Sequence, residues 1–242
     1  MPRYLGQSDS YQKISIGKES LDILKRKTNS SFPLRGWDYW NAYEFMYQNQ
    51  QSAVLTCLEI KVPSDSMYLI ESKSMKLFLN SFYNQEFQST EITNYLSDVF
   101  SETLECKVEV KIMDKYSDPP NFKKLSRNTG KLDSGSIYRF EGYRSLCPVT
   151  SQPDFANVFF YSNGFSDLDS SILLDAIGLH LNQQAFHESC IEAIAEDILH
   201  IAQLKDLQIF GRFLRRGGID INPLRCFNIS DSIFCNFREF NQ

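Results

Sequence analysis

Features that would place the chain in a membrane are scarce in this sequence. A membrane-spanning helix needs about 18 consecutive apolar residues, and no run in this sequence approaches that length. The opening residues, MPRYLGQSDSYQK, contain no apolar core of the signal-peptide type. Both observations predict a cytoplasmic protein without a membrane partner.

Positive charge is also in short supply. The chain has 25 Lys and Arg against 30 Asp and Glu, which gives a net charge of −5. An excess of negative charge disfavours binding to nucleic acid, whose phosphates attract basic surfaces. We therefore expect a small-molecule substrate and no direct contact with nucleic acid.

Metal and disulfide motifs are missing too. The six cysteines form no CxxC pair, and the three histidines fall in no HxH or HExxH spacing. The pattern predicts free thiols in a reducing compartment and no metal site. No GxGxxG follows a strand, so a Rossmann cofactor site is not predicted.

The order of elements is similar in the two halves of the chain, each of which reads strand, helix, helix, strand. The apolar patterns predict strands at 53–63, 106–114, 157–162 and 206–215, and helices at 73–84, 89–104, 170–181 and 187–204. Ser89 or Thr90 is the expected N-cap of the second helix. We divide the chain into an N-terminal arm (1–35), a first module (36–115), a connection (116–138) and a second module (139–242).

The stretch SLCPVTSQPDF (145–155) carries a cysteine in an unusual setting. Pro148 disfavours the helical region for Cys147 and favours extended or turn geometry. A turn that joins Thr150 to Ser151 would set Cys147 opposite Asp154, about 5 Å apart at Cβ. A carboxyl group there can take the proton of the thiol. Alternatively, Cys147 is a small packing residue and Asp154 is a turn aspartate bonded to its own backbone.

The segment ESKSMK (71–76) joins a helix start to basic side chains. Ser72 at the helix start would expose backbone N–H groups to a phosphate. Lys73 and Lys76, three residues apart, would add positive charge on neighbouring helical positions. The plainer interpretation is a solvated basic helix end.

Two further motifs lie in the second half. In RRGG, Arg215 and Arg216 can bind phosphate oxygens with their planar guanidinium groups, and Gly217 allows a ligand to approach the backbone. A strand-end turn with exposed arginines explains the same residues. In FHES, His187 and Glu188 open the longest predicted helix, where a glutamate simply complements the helix dipole.

Taken together, four segments resemble one enzyme family: ESKSMKLFLNSF (71–82), SLCPVTSQPDF (145–155), FHES (186–189) and RRGGIDINP (215–223). The resemblance is to the NADPH-dependent cyano-deazaguanine reductases (QueF), the nitrile reductases of queuosine biosynthesis, in their two-module form. GWDYWNAYEF (36–45) is similar to an early segment of that form, and the resemblance covers roughly residues 35–225. It implies an α+β tunnelling fold (T-fold), with two tandem modules of antiparallel sheet backed by helices, and a homodimer.

The resemblance also implies the reaction. The nitrile of 7-cyano-7-deazaguanine would be reduced by two NADPH to the amine of 7-aminomethyl-7-deazaguanine, through a thioimide on Cys147 with Asp154 as acid and base. The implied substrate-binding residues are Ile70, Glu71, Ser72, Phe186, His187 and Glu188. The implied cofactor-binding residues are Ser72, Lys73, Lys76, Arg215, Arg216 and Gly217. Because neither half carries every motif, we expect the active site at an interface between modules.

Two other functions fit part of the pattern. A related amidinotransferase would form the same cysteine adduct and attack it with an amine, without a need for the nicotinamide motifs. A non-catalytic deazapurine sensor would trap the nitrile without reducing it. Adduct formation without NADPH turnover would favour either one, and a tRNA-binding protein fits least well.

Overall fold

The computed structural model describes residues 17–27, 30–166 and 168–242, so residues 1–16 of the predicted arm lie outside the described part. The chain divides into two compact units. Unit 1 contains the described residues up to Lys27, with Tyr39–Lys115 and Arg215–Asp220. Unit 2 contains residues 30–38, with Tyr116–Leu214 and Ile221–Gln242.

Unit 1 combines antiparallel strands with two helices. After a 3₁₀ turn at Lys18–Ser20, its elements are β1 (Ile23–Lys25), β2 (Arg35–Asn49), β3 (Ser52–Pro63), β4 (Tyr68–Ile70), α1 (Ser72–Asn80), α2 (Ser89–Leu104) and β5 (Glu109–Met113). The strand order is β5-β3-β2, and β1 pairs separately with β4 in antiparallel register. The first four residues of β2 belong to unit 2.

Unit 2 has a similar plan, with all five of its strands in one sheet. Its elements are β6 (Lys123–Lys124), β7 (Ile137–Leu146), β8 (Pro153–Tyr161), α3 (Ser170–Leu179), α4 (His187–Ala202), β9 (Leu207–Phe213) and β10 (Ile219–Phe227). The strand order is β10-β9-β8-β7-β6, antiparallel except for the short β6–β7 pair. The predicted α+β class is confirmed. No helix in the described ranges is long and apolar enough to cross a membrane.

The helices form where the apolar spacing predicts them. In α2, Ile92, Leu96 and Phe100 are fully buried, because positions three and four apart share one face. The N-cap is Gln88, so the predictions of Ser89 and Thr90 are wrong. The backbone N–H of Gln88 donates to the Glu91 carboxylate at 3.0 Å, half of the reciprocal capping pattern typical of helix starts.

The sequence patterns missed the short strands β1, β4 and β6 and the long strands β2, β7 and β10. Strands β2 and β7 form hairpins with β3 and β8, where a single strand was expected in each half. In β2 every residue from 38 to 43 is buried, which removes the alternation that marks a strand with one wet face. Gln50 and Gln51, both at positive φ, close the hairpin without the glycine or asparagine typical of such turns. In β7 the pairing register shifts between Phe140 and Tyr143, and the shift breaks the alternation again.

The RRGG turn belongs to unit 1, although the sequence places it after the second-module helices. Asp220 explains this, since its carboxylate accepts hydrogen bonds from Asn41 Nδ2 at 2.8 Å and from the Tyr43 hydroxyl at 2.5 Å. The backbone N–H of Tyr43 also donates to the Gly218 carbonyl at 2.9 Å. These bonds tie residues 215–220 to β2.

A buried ionic cluster lies within unit 2. The guanidinium of Arg225 contacts the Asp38 carboxylate at 2.8 Å and the Glu192 carboxylate at 2.7 Å, and the Arg225 side chain is fully buried. The carboxylates raise the pKa of Arg225 against the effect of burial, so the group stays cationic. The cluster links the start of β2 to α4 and β10.

Replacing Asp38 with alanine should lower the free energy of unfolding by about 3–5 kcal/mol, since a buried charge loses a partner. Urea unfolding followed by circular dichroism measures the change. Lys123→Ala, which breaks an exposed pair with Asp133, is the control and should change little. An equally small effect of Asp38→Ala would contradict a structural role for the cluster.

Candidate active site

The turn between β7 and β8 carries Cys147. Leu146 lies opposite Pro153 and Ser145 lies opposite Asp154. Beyond this pair, Cys147 donates its N–H to the Gln152 carbonyl at 2.9 Å and accepts the N–H of Ser151 at 3.0 Å. We call residues 147–152 the cysteine turn.

The predicted pairing of Cys147 with Asp154 is therefore wrong by two residues. In the observed register neither proline has to supply a ladder hydrogen bond. Pro148 lies in the turn, and Pro153 faces Leu146, whose carbonyl accepts the N–H of Ala185 instead. Cys147 becomes the diagonal neighbour of Asp154 on the same face, a relation that places side chains about 7 Å apart.

Asp154 faces a histidine. Its Oδ2 lies 3.5 Å from Nε2 of His187, and both side chains are largely buried. The other ring nitrogen of His187, Nδ1, lies 3.2 Å from the Ile221 carbonyl, which can only accept, so Nδ1 carries a proton. The His187 ring stacks on Phe213 with the centroids 3.8 Å apart and 6° between the planes. This arrangement can hold a proton between a carboxyl group and an imidazole.

The start of α4 brings three predicted substrate residues together. Phe186 is the N-cap and is 36% exposed, His187 opens the helix, and Glu188 is 4% exposed in its first turn. A buried carboxylate offers only hydrogen-bond acceptors, so Glu188 suits a ligand edge that presents N–H groups. The substrate contacts themselves stay predictions.

Four side chains of this site were not singled out in the sequence. They are Tyr143, Ser145, Cys190 and Phe213, all fully buried. Burial raises the pKa of Cys190 to about 11, against the lowering effect of hydrogen bonds with Tyr143 and Ser145, and nearby Glu188 and Asp154 raise it further. Cys190 thus stays a thiol at neutral pH. Its position one helical turn after His187 is the sequence feature that could have indicated its place in the site.

A loop segment braces the cysteine turn from outside the sheet. Leu146 donates its N–H to the Gln183 carbonyl at 2.9 Å, and Ala185 donates to the Leu146 carbonyl at 3.2 Å. The side chain of Gln184 donates to the Ser151 hydroxyl at 2.9 Å. Bracing from two sides limits how far Cys147 can move.

In unit 1, the ESKSMK segment starts α1 with Glu71 as its N-cap. The two carboxylate oxygens of Glu71 accept the N–H groups of Lys73 at 2.9 Å and Ser74 at 2.8 Å. Those two N–H groups are bonded to a carboxylate and are therefore not open to a phosphate, contrary to the prediction for this helix start. The ligand roles predicted for Ile70, Glu71, Ser72 and Lys73 stay predictions.

Lys76 and the RRGG turn meet in unit 1. Arg216 donates its N–H to the Ile219 carbonyl at 2.8 Å, and Gly217 and Gly218 between them have φ of 60° and 79°. A Cβ on Gly217 would lie 3.3 Å from the Lys76 side chain. The turn thus presents open backbone beside a lysine.

Arg215 is held in a different way. Its guanidinium lies 3.5 Å from the Glu44 carboxylate and 5.4 Å from the centre of the Tyr43 ring. The pairing reduces the positive charge that Arg215 offers to an anion. The cofactor roles predicted for Lys76, Arg215 and Arg216 stay predictions.

Comparison with protein families gives two matches. Residues 12–112 match the family described as nitrile reductase, 7-cyano-7-deazaguanine-reductase N-term, and residues 153–230 match the QueF-like protein family. Asp154, His187, Glu188 and the RRGG turn lie within these ranges, whereas Cys147 lies between them.

Several curated proteins named NADPH-dependent 7-cyano-7-deazaguanine reductase are similar to the chain. One from Coxiella burnetii (strain Dugway 5J108-111) is 32% identical over 272 aligned positions, covering 98% of this chain and 96% of its own. One from Burkholderia cenocepacia is 32% identical and covers 81% and 80%. One from Buchnera aphidicola is 28% identical and covers 81% and 84%.

Thiol labelling should separate the two cysteines of the site. At pH 8 a thiol whose pKa is about 11 is ionised in about one molecule in a thousand. We expect iodoacetamide to modify exposed Cys235 and half-buried Cys147 first, and Cys190 only after unfolding in urea. Peptide mass spectrometry measures the order, and labelling of native Cys190 as fast as Cys235 would contradict the burial.

Proposed function

The chain belongs to the QueF family of nitrile reductases, and we propose that it reduces 7-cyano-7-deazaguanine to 7-aminomethyl-7-deazaguanine with two NADPH. Its units of antiparallel sheet, each with two helices, are of the tunnelling-fold type. The observation that carries the proposal is the braced cysteine turn, which places Cys147 directly after the strand pair that contains Asp154. A nitrile is a suitable electrophile for a thiol held beside a proton acceptor.

Asp154 starts the reaction as a base. It takes the proton of the Cys147 thiol, and the sulfur attacks the nitrile carbon, forming a C–S bond as one C–N π bond becomes a nitrogen lone pair. The proton returns to that nitrogen, which leaves a neutral thioimide on Cys147. The diagonal separation of about 7 Å leaves room for the reacting carbon and nitrogen between the two side chains.

The later steps need protons at nitrogen. When bound, NADPH supplies two hydrides in succession, so that one nitrile, two NADPH and two protons give one amine and two NADP⁺. Between the two reductions the C–S bond breaks and Cys147 leaves as a thiolate. Asp154, in contact with His187 at 3.5 Å, supplies protons to the nitrogen, and His187 replaces them.

The RRGG turn and Lys76 fit the phosphates of NADPH. Gly217 leaves space where a side chain would meet Lys76, and Arg216 follows Arg215, which Glu44 holds. Backbone N–H groups exposed in such a turn, together with cationic side chains, attract phosphate oxygens. Ser72 and Lys73 lie one turn before Lys76 on α1 and complete the proposed cofactor set.

Base recognition falls to the start of α4. Buried Glu188 accepts hydrogen bonds from the N–H edge of the deazaguanine, and Phe186 packs against the ring. Ile70, Glu71 and Ser72 are the proposed substrate residues of unit 1. Glu71 can serve the base only with the lone pairs that its helix cap leaves unused.

We also propose that the protein works in the cytoplasm as a homodimer. Its six free thiols suit a reducing compartment. The homodimer is the assembly that the resemblance to this family implies. Light scattering would contradict the dimer by giving the mass of one chain.

The two catalytic roles can be separated by mutation. Cys147→Ala should abolish NADPH oxidation and the covalent adduct. Asp154→Asn should keep the binding of the nitrile but slow its reduction by about a hundredfold or more, because proton transfer by a positioned group contributes about that much. Absorbance at the NADPH band and intact-protein mass measure the two effects.

Cys235→Ala is the control, since this thiol is exposed and lies outside the site. Full activity of Cys147→Ala would contradict the proposal. Adduct formation by the native protein without NADPH oxidation would instead favour the amidinotransferase or the sensor.

The cofactor site has its own test. Gly217→Ala puts a Cβ 3.3 Å from the Lys76 side chain and strains a φ of 60°. We expect the KM for NADPH to rise by about tenfold, which corresponds to about 1.4 kcal/mol, with adduct formation unchanged. Gly135→Ala, with a φ of 69° and open space around it, is the matched control. Equal effects of both substitutions would contradict a cofactor role.

A further inference from the structure

The side chain of Gln242 is buried in unit 2 and uses all of its hydrogen-bonding groups. It is 4% exposed. Its Oε1 accepts from Nε and Nη2 of Arg212 at 3.1 and 3.0 Å and from the N–H of Glu239 at 3.1 Å. Its Nε2 donates to the Phe213 carbonyl at 2.9 Å and to Oδ1 of Asn222 at 3.1 Å. The three groups that face Oε1 can only donate, so the orientation of the amide is fixed.

The two groups that accept hydrogen bonds from Nε2 of Gln242 lie on different strands, so Gln242 links the end of β9 to β10. Oδ1 of Asn222 also accepts the backbone N–H of Phe213 at 2.9 Å. Both backbone polar groups of Phe213 are therefore bonded to side chains, the N–H to Asn222 and the carbonyl to Gln242. A buried polar group without a hydrogen-bond partner destabilises the folded protein, so these bonds constrain the position of Phe213.

His187 takes its position from these same strand residues. Its ring stacks on Phe213 at 3.8 Å, and its Nδ1 lies 3.2 Å from the carbonyl of Ile221, which directly precedes Asn222. The stack fixes the plane of the imidazole and the Nδ1 contact fixes its rotation. Its Nε2 then faces Asp154.

We propose that Gln242 is a positioning residue for the reaction: through Phe213 and Asn222 it holds the imidazole of His187 towards Asp154. The inference rests on the proposed function only for what His187 does in catalysis. The geometry of the ring is a property of the folded chain and can be measured without substrate.

Gln242→Glu isolates the relevant bonds. A carboxylate keeps the acceptor that faces Arg212 and Glu239, but it replaces the Nε2 donor by an oxygen that repels the Phe213 carbonyl and Oδ1 of Asn222. Asn236→Asp is the matched control. Asn236 accepts from Nη1 of Arg212 at 2.8 Å, so this change adds the same charge beside the same arginine.

The first readout is the proton NMR spectrum of His187, assigned with His187→Gln. A ring stacked face to face on Phe213 has its carbon-bound protons shielded, so Gln242→Glu should move these signals downfield while Asn236→Asp leaves them in place. The second readout is kcat/KM. We expect a loss of about tenfold in Gln242→Glu and less than about twofold in Asn236→Asp, since a displacement of about 1 Å can cost about a hundredfold.

Unchanged His187 signals in Gln242→Glu, or equal shifts in both variants, would overturn the proposal. A shift without loss of kcat/KM would support the positioning role and contradict the catalytic role of His187. An inactive native protein would contradict the proposed function and leave the NMR result to decide this inference. If Gln242→Glu does not fold, Gln242→Met, which removes the bonds to Phe213 and Asn222 together with those from Arg212 and Glu239 and adds no charge, should give the same downfield shift.

Discussion

The alignment of β7 with β8 is the constraint on which the candidate active site depends. Pro148 and Pro153 cannot supply ladder N–H groups, and the observed register gives each a position that needs none. This register sets Cys147 at the end of one strand and Asp154 near the start of the other, on one face. A shift by one residue would turn Asp154 to the opposite face and separate the pair.

A second layer of contacts then holds the proton-transfer groups. Asp154 faces His187, and His187 lies between the Phe213 ring and the Ile221 carbonyl. None of these supports comes from a neighbour in sequence, because α4, β9 and β10 bring them together. The reacting thiol and carboxyl group come from one hairpin, whereas the contacts that fix their positions come from several elements of unit 2.

The sequence predicted the elements with regular patterns and the motifs with unusual composition. Helices α2 and α4 follow their apolar spacing. The four motifs lie at the starts of α1 and α4, in the turn between β7 and β8, and in the turn before β10. The sequence could not predict β2, because burial on both faces removes its alternation. It could not predict the pairing of Cys147 either, because the six residues of the cysteine turn allow several registers. The cap formed by Glu71 was also missed, since a glutamate before a helix suits a ligand as well as its own backbone.

The central claim is that the thiol of Cys147 forms a covalent adduct that lies on the path to the amine. Its most direct test is intact-protein mass spectrometry with 7-cyano-7-deazaguanine alone, followed by a chase with NADPH. The account predicts a mass increase of one nitrile per chain that disappears as two NADPH are oxidised and one amine is released. An amine formed with no adduct, or an adduct that NADPH does not remove, would contradict it.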